Sequence, residues 1–365
     1  MGQNPLNLLR AAIKVRKLDA ILISQPENRR YLSGYTATDH SIAESSGVLL
    51  VSVHDMPLLL TDSRYALQAE AEAFGFEVML YDRGMLALLK KVLKKRGVCR
   101  LGFESHYFLH ATALKLARVA EKVGTELVPL TGLVEKFRQG KDVDELEKIR
   151  ASVRLNEEVF QEVYASLRVG MTERQVALAI ETTMRKKGAS APSFETIVAA
   201  GPNGALPHAV PSDRPLQTGE PIIIDMGTVL NGYCSDMTRT VVLGEPDLKT
   251  RDLIRVVRRA QLAATAKIRA GITGREADRA AREIIKQAGY GKNFGHGLGH
   301  GVGLAVHEAP SLSSRNRKKL RAGMVVTIEP GIYLPGWGGI RLENMAVVTT
   351  DGCEILNADH TFLDI

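Results

Sequence analysis

The stretch PIIIDMGTVLNGYCSDMTRTVVL, residues 221–243, decides the fold of the larger part of the chain. Ile222 to Ile224 is a β-branched run that ends in Asp225, and Asn231-Gly232 is a hairpin signal of the strongest kind. A turn on that pair sets Gly227 opposite Asp236, with Asp225 two residues further along its own strand. Side chains repeat every second residue, so Asp225 and Asp236 leave the same face as diagonal neighbours. Two carboxylates so placed repel unless one holds a proton or a cation lies between them. On its own the stretch also reads as two solvated carboxylates on an exposed sheet face. What lies downstream decides.

The run GHGLGHGVGLAVHE, residues 295–308, holds His296, His300 and His307 among five glycines at alternate positions. So glycine-rich a backbone sustains no helix, and the Glu of a helical zinc motif is missing, so His296 and His300 are not such a pair. The glycines point instead to a backbone that passes close to something, with imidazoles presented from irregular structure. Glu329 closes the apolar run Val325 to Ile328, and Glu343 falls between Leu342 and the run Ala346 to Val348. An acid at the end of a buried strand is either emerging into water or a paired functional group. Asp225 and Glu329 share that design. Asp225, Asp236, His300, Glu329 and Glu343 together supply four carboxylates and one imidazole. Such an oxygen-rich set suits Mn2+, Co2+ or Fe2+ better than a structural zinc. Carboxylates bridge, so the set suffices for two ions about 3.5–4 Å apart, the spacing of two-metal hydrolases.

The 365 residues are enough for two domains, with 45% hydrophobic and 24% charged residues and a net charge of +7. Lys and Arg are scattered over helical patterns without interleaved aromatics, which argues against a nucleic-acid partner. Three cysteines, Cys99, Cys234 and Cys353, are too few and too far apart for a disulfide framework or a zinc knuckle, and Cys234 reads as a packed thiol. Arg10, Lys14, Arg16 and Lys17 break up the apolar residues of a would-be signal peptide, and no apolar run is long enough for a bilayer span. The expectation is a cytoplasmic protein with no membrane partner. Strands are expected over 20–23, 48–53, 58–61, 76–81, 101–103 and 126–130, alternating with helical patterns over 6–16, 64–73, 85–95 and 111–123. That is an α/β domain without a phosphate loop. After Thr131-Gly132, Asp142 with Glu145 reads as a capping box opening a long helix. Further helices are expected over 172–187, 248–269 and 273–288, a strand over 194–199, and a turn-rich loop, GPNGALPHAVP, carrying His208.

The order of DMG…GYCSDMTRT, GHGLGHGVGL…VHE, TIEPGIY and GIRLEN resembles the metallopeptidases of the methionine aminopeptidase, prolidase and Xaa-Pro aminopeptidase superfamily. The part before it, with NRRYLSGY, resembles the creatinase-like N-terminal domain of prolidases and Xaa-Pro aminopeptidases. The resemblance implies an α/β creatinase-like domain over 1–132 and an α+β pita-bread metallopeptidase domain over 133–365. It implies two divalent metal ions, Mn2+ first, with Co2+ or Zn2+ as alternatives. Asp225 would bind one ion and His300 with Glu329 the other, while Asp236 and Glu343 bridge them. Glu329 would also shuttle a proton from water to the leaving amine, and His307 would donate to the developing oxyanion. His208 would contact substrate, His296 would line the pocket, and Tyr333 and Arg341 would orient the carboxylates beside the substrate. The implied activity is that of an Xaa-Pro aminopeptidase, a homodimer that uses a metal-bridging hydroxide on peptides with proline in second position. Ser311 in HEAPSLSS stands where many dipeptide-specific members carry Arg, which favours longer X-Pro peptides, and Asn344 stands where many members have Asp. The alternative is an Xaa-Pro dipeptidase, and a remoter one is a non-catalytic pita-bread binding module.

Overall fold

The Asn231-Gly232 turn forms with φ of 52° at Asn231 and 84° at Gly232. Leu230 faces Tyr233, and the same register runs on through Met226 with Met237 and Asp225 with Thr238 to Pro221 with Val242. At Gly227 the strands come too close for a side chain, because a Cβ there would lie 2.1 Å from the Ser235 carbonyl oxygen. The structure, a computed structural model, describes residues 4–361 and divides between Arg138 and Gln139 into two units. Among the described residues no helix is long and apolar enough to cross a membrane.

The N-terminal unit carries one six-stranded mixed sheet. Its central strand Ala20–Ile23 pairs antiparallel with Val48–Ser52 and parallel with Arg100–Glu104. Helices cover both faces, so the central strands are buried throughout and read as continuous apolar runs. The longest helix that escaped the sequence reading is Pro26–Ser33. Its buried face carries Asn28, Arg29 and Ser33 as well as Leu32, so it shows no apolar stripe.

The second unit is built from two helix pairs, each covering strands. Helices Val143–Ser166 and Glu173–Lys186 share a core with the strands Ile197–Ala200, Pro221–Met226 and Met237–Val242. Helices Leu248–Lys267 and Gly274–Gln287 pack against a five-stranded sheet that includes Gly299–Gly301, Val325–Ile328 and Asn344–Val348. The Asp142–Glu145 capping box opens the first of these helices, and Thr172 with Gln175 and Thr273 with Glu276 cap two others in the same way. The expected strand over 194–199 begins later and runs over Ile197–Ala200, and Phe194, Glu195 and Thr196 before it line a cavity.

Candidate active site

Alternation along the strands sets which side chains meet. In the five-stranded sheet Val326, Ile328, Ala346 and Val348 face the second helix pair, while Val325, Met345 and Val347 face the other side, where the hairpin residues Tyr233 and Cys234 pack. Thr327 and Glu329 follow Val325 in parity and so point toward the hairpin side. In the hairpin Ile222, Ile224 and Met226 go into the first helix pair's core, which leaves Asp225 for the opposite face. Directly across from it is Thr238, in the same parity as Asp236. The result is a cavity of 510 Å³ whose lining includes all ten residues singled out above, from His208 to Glu343.

Asp236, His300 and Glu343 each offer one donor atom, and these atoms lie within 4.8 Å of one another. Nε2 of His300 lies 3.6 Å from Oδ2 of Asp236 and 3.4 Å from Oε1 of Glu329. Its Nδ1 is 3.1 Å from the Gly301 carbonyl, which can only accept, so Nδ1 carries the proton and the Nε2 lone pair faces the carboxylates. Lone pairs and carboxylate oxygens gathered at this range, with no donor between them, are the arrangement a cation resolves. Asp225 stands differently: its Oδ2 accepts from Arg341 Nη2 at 2.6 Å. Its Oδ1, like Oε1 of Glu343, is buried without a hydrogen-bond partner among the described residues.

The remaining groups form a chain that orders these acids. Arg341 donates to Asp225, to the Tyr333 hydroxyl at 2.9 Å, to the Thr238 hydroxyl at 3.1 Å and to the Pro207 carbonyl at 3.2 Å. His296 Nδ1 donates to the Gly297 carbonyl, so Nε2 accepts from the Tyr333 hydroxyl at 2.9 Å. His307 has its ring centroid 4.3 Å from that of His300, and His208 is exposed on its loop at the cavity wall.

Burial dominates the electrostatics. It pushes Asp236 well above the carboxylate range, with Glu343 and Asp225 adding repulsion, and does the same to Glu343, with Glu329 and Asp225 adding to it. Burial lifts Glu329 to about 8 against the pull of Arg341. His300 is held down to about 4 by burial and then by His307, and His296 down to about 4 by burial. Burial opposes the charge of Arg341, yet Tyr333 and Asp225 keep it well above its usual range. Without a cation the cluster therefore keeps protons that carboxylates elsewhere release at neutral pH.

Several supporting residues were not picked out from the sequence. Thr238 donates its hydroxyl to Glu343 Oε2 at 2.7 Å, and Thr327 donates to Glu329 Oε1 at 3.1 Å while accepting the His300 N–H at 3.0 Å. Lys141 reaches Glu308 at 3.0 Å, and Glu308 accepts the Ala305 N–H, which braces the turn carrying His307. The signal was available for the threonines. Thr327 is a polar residue in an otherwise apolar strand, and Thr238 shares the parity of Asp236.

Comparison with known proteins agrees with this geometry. The profile of metallopeptidase family M24 matches residues 147–350, and that of the creatinase/prolidase N-terminal domain matches residues 5–139. The chain belongs to metallopeptidase family M24, with the pita-bread catalytic fold behind a creatinase-type N-terminal domain. An Xaa-Pro dipeptidase from Bacillus anthracis is similar at 37% identity with a TM-score of 0.91, over 98% of this chain and 97% of that one. An X-Pro aminopeptidase from Thermotoga maritima is similar at 37% identity and a TM-score of 0.86, over 96% and 98%. A prolidase from Pyrococcus horikoshii shares 32% identity at a TM-score of 0.89, over 98% and 99%. The family implies a divalent metal, and the residues present fit one: three donor atoms within 4.8 Å, and two buried carboxylate oxygens with no donor.

Proposed function

We propose that the protein is a metal-dependent peptidase that hydrolyses the bond between an N-terminal residue and a following proline. What carries this reading is the Asp236, His300 and Glu343 group, which turns a lone pair and carboxylate oxygens on one point in a closed wall of the cavity. Asp225, Asp236, His300, Glu329 and Glu343 would together hold two divalent ions, Mn2+, Co2+ or Zn2+. Such a pair supplies a water activated at neutral pH and electrophilic assistance to the scissile carbonyl.

The chain's own residues do the rest. Glu329, on the cavity wall, would take a proton from the attacking water and pass it to the leaving proline nitrogen. His307, held neutral by burial, donates its N–H to the oxyanion that develops on the substrate. Arg341 fixes one oxygen of Asp225 so that the other faces the cation, and Tyr333 fixes Arg341 and His296 in turn. His208 and His296 would border the substrate. Exhaustive chelation should abolish hydrolysis of Ala-Pro and Ala-Pro-X peptides, and stoichiometric Mn2+ should restore it. Undiminished hydrolysis after metal removal would overturn the mechanism.

Action on dipeptides is supported by the likeness to the Xaa-Pro dipeptidase of B. anthracis and the prolidase of P. horikoshii. One observation favours a second reading, removal of the N-terminal residue from longer X-Pro peptides. Ser311 lines the cavity, and Arg341, the one Lys or Arg among the described lining residues, already has four acceptors. No spare cation there awaits a dipeptide's carboxylate. Rates on Ala-Pro against Ala-Pro-X decide between the two. A homodimer belongs to the same reading and is tested by sedimentation of the full chain.

A further inference from the structure

Arg239 is fully buried and does not line the cavity, yet it touches the backbone of a proposed ligand. It lies between Thr238 and Thr240 on the strand Met237–Val242. The neighbouring segment 341–343 is tied to this strand in part through side chains. Thr240 Oγ1 donates to the Arg341 carbonyl at 2.8 Å and accepts the Arg341 N–H at 3.1 Å. Glu343 sits between the strands Gly338–Arg341 and Asn344–Val348 and belongs to neither. Its N–H donates to the Thr238 carbonyl at 3.0 Å, and its own carbonyl accepts from Arg239 Nη1 at 2.6 Å.

A short segment bonds the other side of the guanidinium. Arg239 Nε donates to Asp359 Oδ2 at 2.6 Å, and Nη2 donates to the Asp359 carbonyl at 3.1 Å. That segment is fastened in turn. The Asp359 N–H donates to Glu157 on the helix Val143–Ser166 at 2.8 Å, and Asn357 Oδ1 accepts the Met345 N–H at 2.7 Å. Without Asp359, Arg239 would be a buried cation that has lost the carboxylate bonded to its Nε, and the pressure to turn away would weaken its bond to Glu343. A buried carbonyl left without a donor in turn moves the residue that bears it.

We propose that Arg239 is a positioning residue for the cation site, fixing the backbone of Glu343, and that residues 357–361 are the strap that keeps Arg239 in place. This rests on the reading of Glu343 as a ligand. Calorimetric titration of the metal-free full chain with Mn2+ tests it, with thermal unfolding measured on the same samples. Asp359→Asn and Arg239→Lys should each weaken Mn2+ binding about 10–100-fold, the range seen for groups that orient ligands. Glu173→Gln is the comparison. Glu173 is equally buried in the same unit and holds Ala200, Asn203 and Ser212, so it should lower the melting temperature and leave Mn2+ affinity unchanged. Wild-type affinity in a folded Asp359→Asn protein would overturn the strap. So would an equal loss in Glu173→Gln, since affinity would then merely track stability. No Mn2+ binding by the unsubstituted protein would instead overturn the cation-site reading, and this proposal with it.

Discussion

Each unit buries acids, and Glu104 in the first is held in the opposite way to the acids of the cavity in the second. In the N-terminal unit Glu104 is 3% exposed and accepts from the N–H groups of Ser24 and Gln25 at 2.6 and 2.8 Å and from Asn28 Nδ2 at 2.6 Å. Both its oxygens have donors. In the second unit Asp236 and Glu343 are as deeply buried, but Oε1 of Glu343 has no donor among the described residues and the nearest charged neighbours are other acids. A buried carboxylate that is fully bonded is part of the scaffold. A buried carboxylate that lacks donors and faces its own kind marks a place where a cation belongs.

Substituting acids on the two sides should separate these roles. The largest effect is expected for Glu329→Gln, which removes the proposed proton carrier. Hydrolysis of an Ala-Pro substrate should fall about 10²–10⁴-fold, with the circular dichroism spectrum unchanged. Next comes stability. Glu104→Ala leaves the Ser24 and Gln25 N–H groups without an acceptor and should cost about 3 kcal/mol in denaturant unfolding of the N-terminal unit. Glu343→Gln should do the reverse in metal-free protein, raising its melting temperature at neutral pH, because the amide is buried uncharged without taking up a proton. A fall there instead would mean that Glu343 is scaffold after all.

The pH dependence follows from the same contrast. Glu329 rises from an ordinary 4.5 to about 8 in the folded chain, and Asp236 and Glu343 shift in the same direction. The folded form keeps protons that the unfolded form releases, so the stability they give is complete below 4.5 and is lost as pH rises through about 8. Metal-free protein should melt at progressively lower temperature between those limits. Mn2+ at a hundredfold excess over its dissociation constant should restore about 2.7 kcal/mol at the alkaline end. A melting temperature independent of pH and of Mn2+ would break the comparison. The smallest effect concerns selectivity. Ser311→Arg should lower KM for Ala-Pro about tenfold relative to Ala-Pro-X, because it adds a cation to the cavity wall, an exchange of about 1.4 kcal/mol.

Short-range chemistry made much of this legible in advance. The Asn231-Gly232 turn and strict alternation together put Asp225 across from Thr238, two residues from Asp236, and both follow from local backbone preferences. Capping at Asp142 is equally local. The helix Pro26–Ser33 was not legible, because its buried Asn28 and Arg29 are stabilised by partners distant in sequence, such as Glu104 and Asp39. The same holds for Arg239, a charge in a buried strand that makes sense beside Asp359.

The sequence by itself determined the hairpin, its register, the acids that end each strand and the glycine run that presents the imidazoles. Tertiary structure decided that Asp236, His300 and Glu343 meet, that Asp225 gives one oxygen to Arg341, and that threonines and a second buried arginine hold the segments carrying these acids. The division has a physical cause. Turn type and alternation depend on neighbours a few residues away, whereas convergence of residues up to 107 positions apart depends on how two helix-backed layers pack, which no local pattern encodes.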